Sequence, residues 1–192
     1  GDKVVTAVST TVLTDSTVTS TSSSLTVTVD TTAPTVSISA SSTSLRSGQT
    51  STLTFTLSEA STDFVEGDVT FSGGTLSSFT AVSGTSYTVV FTPSANTQSG
   101  SGSISVAVDK FTDAAGNNNT ASSATTITYD TQVPSVSSIT ASRSTLKSWD
   151  TSVFTITLSE ASTDFVVGDV TFSGGTLSSF SGSGTSYTVV FT

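Results

Sequence analysis

Apolar and polar residues alternate along this chain in short runs, and each run reads as a half-buried strand. The cleanest is Thr52-Leu53-Thr54-Phe55-Thr56-Leu57-Ser58, with Leu53, Phe55 and Leu57 on one face and Thr54 and Thr56 on the other. Ser24 to Asp30 alternates as strictly through Leu25, Val27 and Val29. From about Thr31 to Asp130 the pattern predicts strands at Val36–Ala40, Thr52–Ser58, Asp68–Phe71, Thr75–Phe79, Tyr87–Thr92, Ser103–Val108 and Thr125–Tyr129. Turns separate them: Thr43 to Gln49 around Gly48, Gly73-Gly74, Ser83-Gly84, a loop from Pro93 to Gly102, and Asp113-Ala114-Ala115-Gly116-Asn117-Asn118-Asn119. Tyr87, Phe91, Phe71, Phe55 and Phe79 are expected to fill the core.

No helical period interrupts this pattern. Seven short strands in about 100 residues, with turn signals every 8–12 residues, predict an all-β immunoglobulin-like β-sandwich. The chain also repeats itself. Ser58 to Phe79 returns as Ser159 to Phe180, 101 positions later, with Glu66 changed to Val167 as the single difference. Asp30-Thr31-Thr32-Ala33-Pro34 matches Asp130-Thr131-Gln132-Val133-Pro134. The expected organisation is tandem sandwiches: residues 1–30 as the last two strands of a preceding repeat, 31–130 as a complete repeat, and 131–192 as the first five strands of a following one. The Pro-containing links predict semi-rigid joints. Two assemblies fit this register: a segment of a long tandem array, or subunits in which residues 1–30 of one complete residues 131–192 of the next.

Composition narrows the chemistry. Of 192 residues, 84 are Ser or Thr, which suit the solvent side of many strands. Cys and His are both absent, which removes the common nucleophile–base pairs and zinc sites. A Ser nucleophile has no His as its base, Lys110 has no motif partner for a Ser–Lys pair, and the Asp and Glu are better explained by loops than as the carboxylate pair of a glycosidase, so the expectation is no enzyme. The net charge is -9, and the five Lys and Arg are scattered, which argues against nucleic acid as a partner. No apolar run is long enough to span a bilayer. The chain shows neither a signal peptide nor an initiator Met, so it reads as a piece of something longer.

The carboxylates are where ligand chemistry is expected. In such a sandwich the loop after the second strand (Glu59, Asp63, Glu66, Asp68), the turn carrying Asp113 and Asn117, and Asp30 before the joint share one end. Clustered carboxylates suit a hard cation with oxygen ligands, above all calcium. The predicted set is Asp30, Glu59, Asp63, Asp68, Asp113 and Asn117, with Glu59 and Asp113 foremost; the following repeat offers Asp130, Glu160, Asp164 and Asp169. The change of Glu66 to Val167 removes Glu66 from the essential ligands. Against this stand a solvated acidic loop, and for Asp68 a turn-capping role. Trp149, in the position of Gly48, is the one exposed-aromatic candidate for a domain contact or for a carbohydrate- or protein-binding reading. Asn118-Asn119-Thr120 has the form of a glycosylation acceptor.

The quoted runs resemble bacterial Ig-like repeats of very large surface adhesins. The resemblance rests on Asp30-Thr31-Thr32-Ala33-Pro34, Leu45-Arg46-Ser47-Gly48-Gln49-Thr50, Thr54 to Ala60, Asp68 to Leu76, and Phe111 to Asn117. It covers 31–192 and weakens over 1–24, where no Asp-Ala-Ala-Gly-Asn run occurs; Trp149 in place of Gly48 is a second departure. The resemblance implies an extracellular, cell-surface or secreted stalk that extends a binding tip, export by type I secretion, and calcium near the joints. The partners it implies are neighbouring Ig-like repeats of the same chain or of adjacent subunits.

Overall fold

The computed structural model describes residues 3–7 and 25–192. Residues 8–24, where the resemblance weakens, lie outside them. The chain divides into two compact units, residues 1–132 and 133–192. In the first, β1 (Lys3–Ala7) and β2 (Leu25–Val29) form an antiparallel pair. The sandwich follows as β3 (Val36–Ala40), β4 (Ser44–Arg46), β5 (Ser51–Leu57), β6 (Val69–Ser72), β7 (Gly74–Ser83), β8 (Ser86–Pro93), β9 (Gly100–Val106) and β10 (Thr125–Asp130). One sheet has the order β3-β5-β8-β7 and the other β4-β10-β9-β6.

Leu53, Phe55 and Leu57 of β5 are buried, as their alternation requires, and Phe55 stands opposite Tyr87 of β8 in the ladder. Ile104 and Val106 of β9 and Ile127 and Tyr129 of β10 close the core from the other sheet. Removing these side chains from water is the main stabilising term of such a unit.

Three expectations need correction. The segment 43–49 is not only a turn: Ser44–Arg46 leaves the first sheet and runs parallel to β10. Buried Ser51 holds that crossover, its hydroxyl donating to the Ser42 carbonyl (2.8 Å) and accepting from the Ser42 amide (3.2 Å). The short strand expected at Thr75–Phe79 is the ten-residue edge strand β7, broken by register shifts near Ser78 and Val82. Such bulges blunt an open edge. Phe71 is not core; β6 is the last strand of its sheet and leaves this ring 42% exposed.

The residue that does fill that role is Phe64, 3% exposed. Its ring lies 5.6 Å from Phe55, 5.0 Å from Tyr87, 5.1 Å from Phe111 and 5.7 Å from Phe79. The Tyr87 hydroxyl donates to the Ser61 carbonyl at 2.8 Å. The acidic loop is therefore anchored on the core at its middle.

The second unit forms one antiparallel sheet, β11 (Val136–Ala141), β12 (Ser152–Ser162) and β13 (Leu177–Phe191). A register shift between Val136 and Ser138 absorbs the one residue by which this repeat is longer there. Ile156, Leu158, Tyr187 and Val189 form its core. Val170-Thr171-Phe172-Ser173 repeats the sequence of β6 yet is not a strand. The reason is pairing: β6 is held by β9, and the described residues of the second unit offer no counterpart of β9. For the same reason Val136 is 49% exposed where Val36 is 7%.

Candidate metal centre

Three segments bring carboxylates to one end of the first sandwich. Asp30 directly follows β2, and its side chain accepts the Thr32 amide at 2.9 Å. Glu59 follows β5. Asp113 sits in the turn bracketed by the Thr112–Asn118 bridge. One carboxylate oxygen from each of Asp30, Glu59 and Asp113 lies within 4.8 Å of the others.

Each segment is pinned. Asp63 accepts the Thr112 amide (3.0 Å) and hydroxyl (2.9 Å) and the Ser61 hydroxyl (2.7 Å), which ties the loop after β5 to the Asp113 turn. The Asn117 amide donates to Asp113 at 2.8 Å and reaches the Asp30 carbonyl at 3.4 Å. The Thr120 amide donates to the Pro34 carbonyl at 3.0 Å, and Thr35 and Ser58 bond to one another at 2.9 Å. Asn119, fully buried, staples the turn's base. It accepts the amides of Lys110 (2.7 Å) and Phe111 (3.0 Å) and donates to the carbonyls of Ala107 and Thr120, both at 2.8 Å.

Asp113 is 7% exposed. The Asn117 side-chain amide, foremost, with the backbone amides of Asn117, Ala115 and Gly116, holds its carboxyl below the usual value against the opposing effect of burial. Burial would raise Asp63, but the Thr112 amide and the Ser61 and Thr112 hydroxyls outweigh it and leave that carboxyl lowered too. Burial, and then the charge of Asp63, raises Tyr87. The carboxylates of Asp63 and Asp113 are thus held ionised at neutral pH.

This donor set fits calcium. The ion takes oxygen ligands at about 2.3–2.6 Å, so two ligands on opposite sides stand about 5 Å apart. A spread of 4.8 Å lets all three carboxylates share one ion. Other predicted ligands have different work. Asp63 clamps two loops, and Asp68 accepts the Val65 amide at 2.9 Å, capping the short helical turn Glu66–Asp68. Asn117 orients Asp113. Asp130 accepts the Gln132 amide at 3.1 Å. In the second unit Asp164 accepts the Ser162 hydroxyl and Asp169 caps through the Val166 amide. One carboxylate oxygen of Glu160 is buried without a hydrogen bond among the described residues. Within the second unit a cavity of about 290 Å³ is lined by Pro134, Leu158, Asp164, Phe165 and Asp169 among others; in the first unit the counterparts of Asp164 and Phe165, Asp63 and Phe64, are instead packed by Thr112 and Phe111 of the same unit.

Phe64 and Asn119 position this end and carry no pattern that marks them. Phe64 and Val65 lie side by side in an otherwise polar loop with no period, and Asn119 is the third of three consecutive Asn.

Comparison with curated proteins finds no match. Among solved structures the chain is similar to FdeC, a broadly conserved adhesin of Escherichia coli, at 16% identity and a TM-score of 0.45. The similarity covers 88% of this chain and 59% of that one. The profile of the bacterial Ig-like domain matches residues 30–129 and again 130–192. Two consecutive matches over a repeated β-sandwich sequence place the chain in the bacterial Ig-like domain family, as tandem repeats.

Proposed function

We propose that this chain is an extender segment of an extracellular bacterial surface adhesin or fibre, stiffened at its joints by calcium. The observation that carries this reading is the convergence of Asp30, directly after β2, with Glu59 and Asp113 of the sandwich that follows. A calcium ion there supplies charge neutralisation and a rigid oxygen cage. The residues do the rest: Asn117 and the turn amides orient Asp113, Asp63 locks the two loops together, and Pro34 restricts the backbone after Asp30. The role is mechanical and non-enzymatic, and the partners are neighbouring repeats. Small-angle scattering of the chain with calcium and with chelator tests it. Calcium should narrow the distribution of particle dimensions, and identical curves would count against the stiffening role.

A second reading is a filament in which strands of a neighbouring subunit cover the second unit. It draws on the uncovered inner face there, where Ile139 is 59% exposed beside a cleft lined by Phe154, Ile156, Leu177 and Val189. That reading requires concentration-dependent oligomers in light scattering; a monomer at every concentration removes it.

A further inference from the structure

The first and last strands of the complete repeat are bonded to one another at successive levels. The Thr120 amide donates to the Pro34 carbonyl (3.0 Å), and the Thr125 hydroxyl donates to the Ile38 carbonyl (3.0 Å). The Thr128 amide and hydroxyl both donate to the Thr43 carbonyl (2.9 and 3.2 Å). The ladder then sets Thr128 opposite Ser44, Tyr129 opposite Leu45 and Asp130 opposite Arg46. Residue numbers rise together on the two sides, so the segments 34–46 and 120–130 run parallel. All of these contacts lie within residues 31–130.

Parallel pairing decides how tension acts. The chain enters the repeat at the start of the first segment and leaves it at the end of the last. A pull on both ends therefore drags the two strands in opposite directions along their own axes. Bonds between strands lie across those axes, so this load shears them together. A hairpin pulled apart at its open end gives up its bonds one at a time. The neighbouring ladders add to the resistance, because β3 is paired antiparallel with β5 and β10 with β9. Without the crossover held by Ser51, β4 would not reach β10. Leu45, 2% exposed, fixes that short strand in the core.

We propose that the repeat carries tension between its ends, and that β3–β4 against β10 is the shear clamp that sets its lifetime under load. This rests on the extender reading above, since only a chain held at both ends loads the clamp. It adds to that reading a force-bearing function located in residues 34–46 and 120–130 and independent of calcium. Lifetime under force is governed by the rate of unfolding, so a residue acts on it through contacts that are lost in the rupture step. Leu45 lies in the clamp. Leu53, 0% exposed, lies in β5 and keeps its contacts until the clamp has parted.

The intact chain is tethered at its two ends and pulled in chelator by single-molecule force spectroscopy. At about 3.3–3.6 Å per residue, unfolding of residues 31–130 releases about 330–360 Å of chain less the folded length, which identifies its step. Leu45→Ala and Leu53→Ala should lower the folding equilibrium constant in urea by similar factors. Under load Leu45→Ala should speed unfolding by nearly its whole factor, and Leu53→Ala by less than about threefold. A Thr125→Val, Thr128→Val double variant removes only the two hydroxyl bonds and serves where Leu45→Ala does not fold; it should shorten the lifetime at a given force about tenfold. Equal acceleration by the two leucine variants overturns the clamp. So does an unchanged lifetime in the threonine variant, or gradual yielding of the unmodified chain without a discrete step. Scattering with calcium reads the joint separately: a clamp that holds in chelator, with no stiffening by calcium, refutes the calcium joint alone, and stiffening without a clamp refutes the clamp alone.

Discussion

Replacing Asn119 with alanine should destabilise the first repeat more than any surface change near the candidate metal centre. The buried amide makes four hydrogen bonds, all to backbone groups: two accepted from Lys110 and Phe111, two donated to Ala107 and Thr120. Alanine leaves those four groups without this partner in a site where Asn119 is 1% exposed. At about 1 kcal/mol per bond the loss is about 4 kcal/mol. That is a large part of the roughly 5–15 kcal/mol that holds a domain together. With a urea slope of about 2 kcal/mol/M, the midpoint of the first unit should fall by about 2 M. Far-UV circular dichroism follows the transition, and hydrogen exchange with mass spectrometry locates it. Protection should fall first between residues 104 and 120, because the staple joins the end of β9 to the turn that carries Asp113. A loss under about 1 kcal/mol, or exchange that rises evenly along the chain, would refute the staple.

Two further outcomes follow from the same geometry. A Cβ at Gly73 would stand 2.3 Å from the Ser101 carbonyl oxygen, whereas one at its repeat counterpart Gly174 meets nothing within 4 Å; both have positive φ. Gly174→Ala should therefore cost only the backbone term of roughly 1–2 kcal/mol, and Gly73→Ala about 2 kcal/mol more in denaturant titrations. The first repeat should also lose stability in acid. Asp63 and Asp113 have carboxyls lowered from 3.8 in the folded state, so their contribution is complete above that value and is lost as pH falls through the folded values. Melting temperatures measured from pH 5 downward should drop, and Asp63→Asn should flatten that slope.

Most strands of the first repeat were legible because they carry their own alternation, as Leu53, Phe55 and Leu57 do; the three-residue β4 is too short to show one. What local pattern cannot carry is pairing. Val69–Ser72 and Val170–Ser173 are the same four residues, yet only the first is a strand, because β9 lies beside it. Phe71 keeps the alternation of a core residue but sits at the sheet's edge. The candidate site was legible to the extent that topology decides it. The rule that places the loop after the second strand beside the last turn and the preceding joint brings Asp30, Glu59 and Asp113 together. Which acids within one loop converge is set by side-chain hydrogen bonds a few residues away. Those bonds give Asp68 to its own turn and Asp63 to Thr112. No spacing rule separates these from Glu59.

Calcium titration of the intact chain, by calorimetry with melting temperature as a second readout, addresses the proposed site most directly. The geometry predicts one ion bound in the first repeat and, at about 100 times the dissociation constant, a stabilisation of about 2.7 kcal/mol. Both effects should disappear in the Glu59→Gln, Asp113→Asn double variant. Absence of heat and of any melting shift in the unmodified chain, or equal binding by the double variant, would contradict the calcium-held joint.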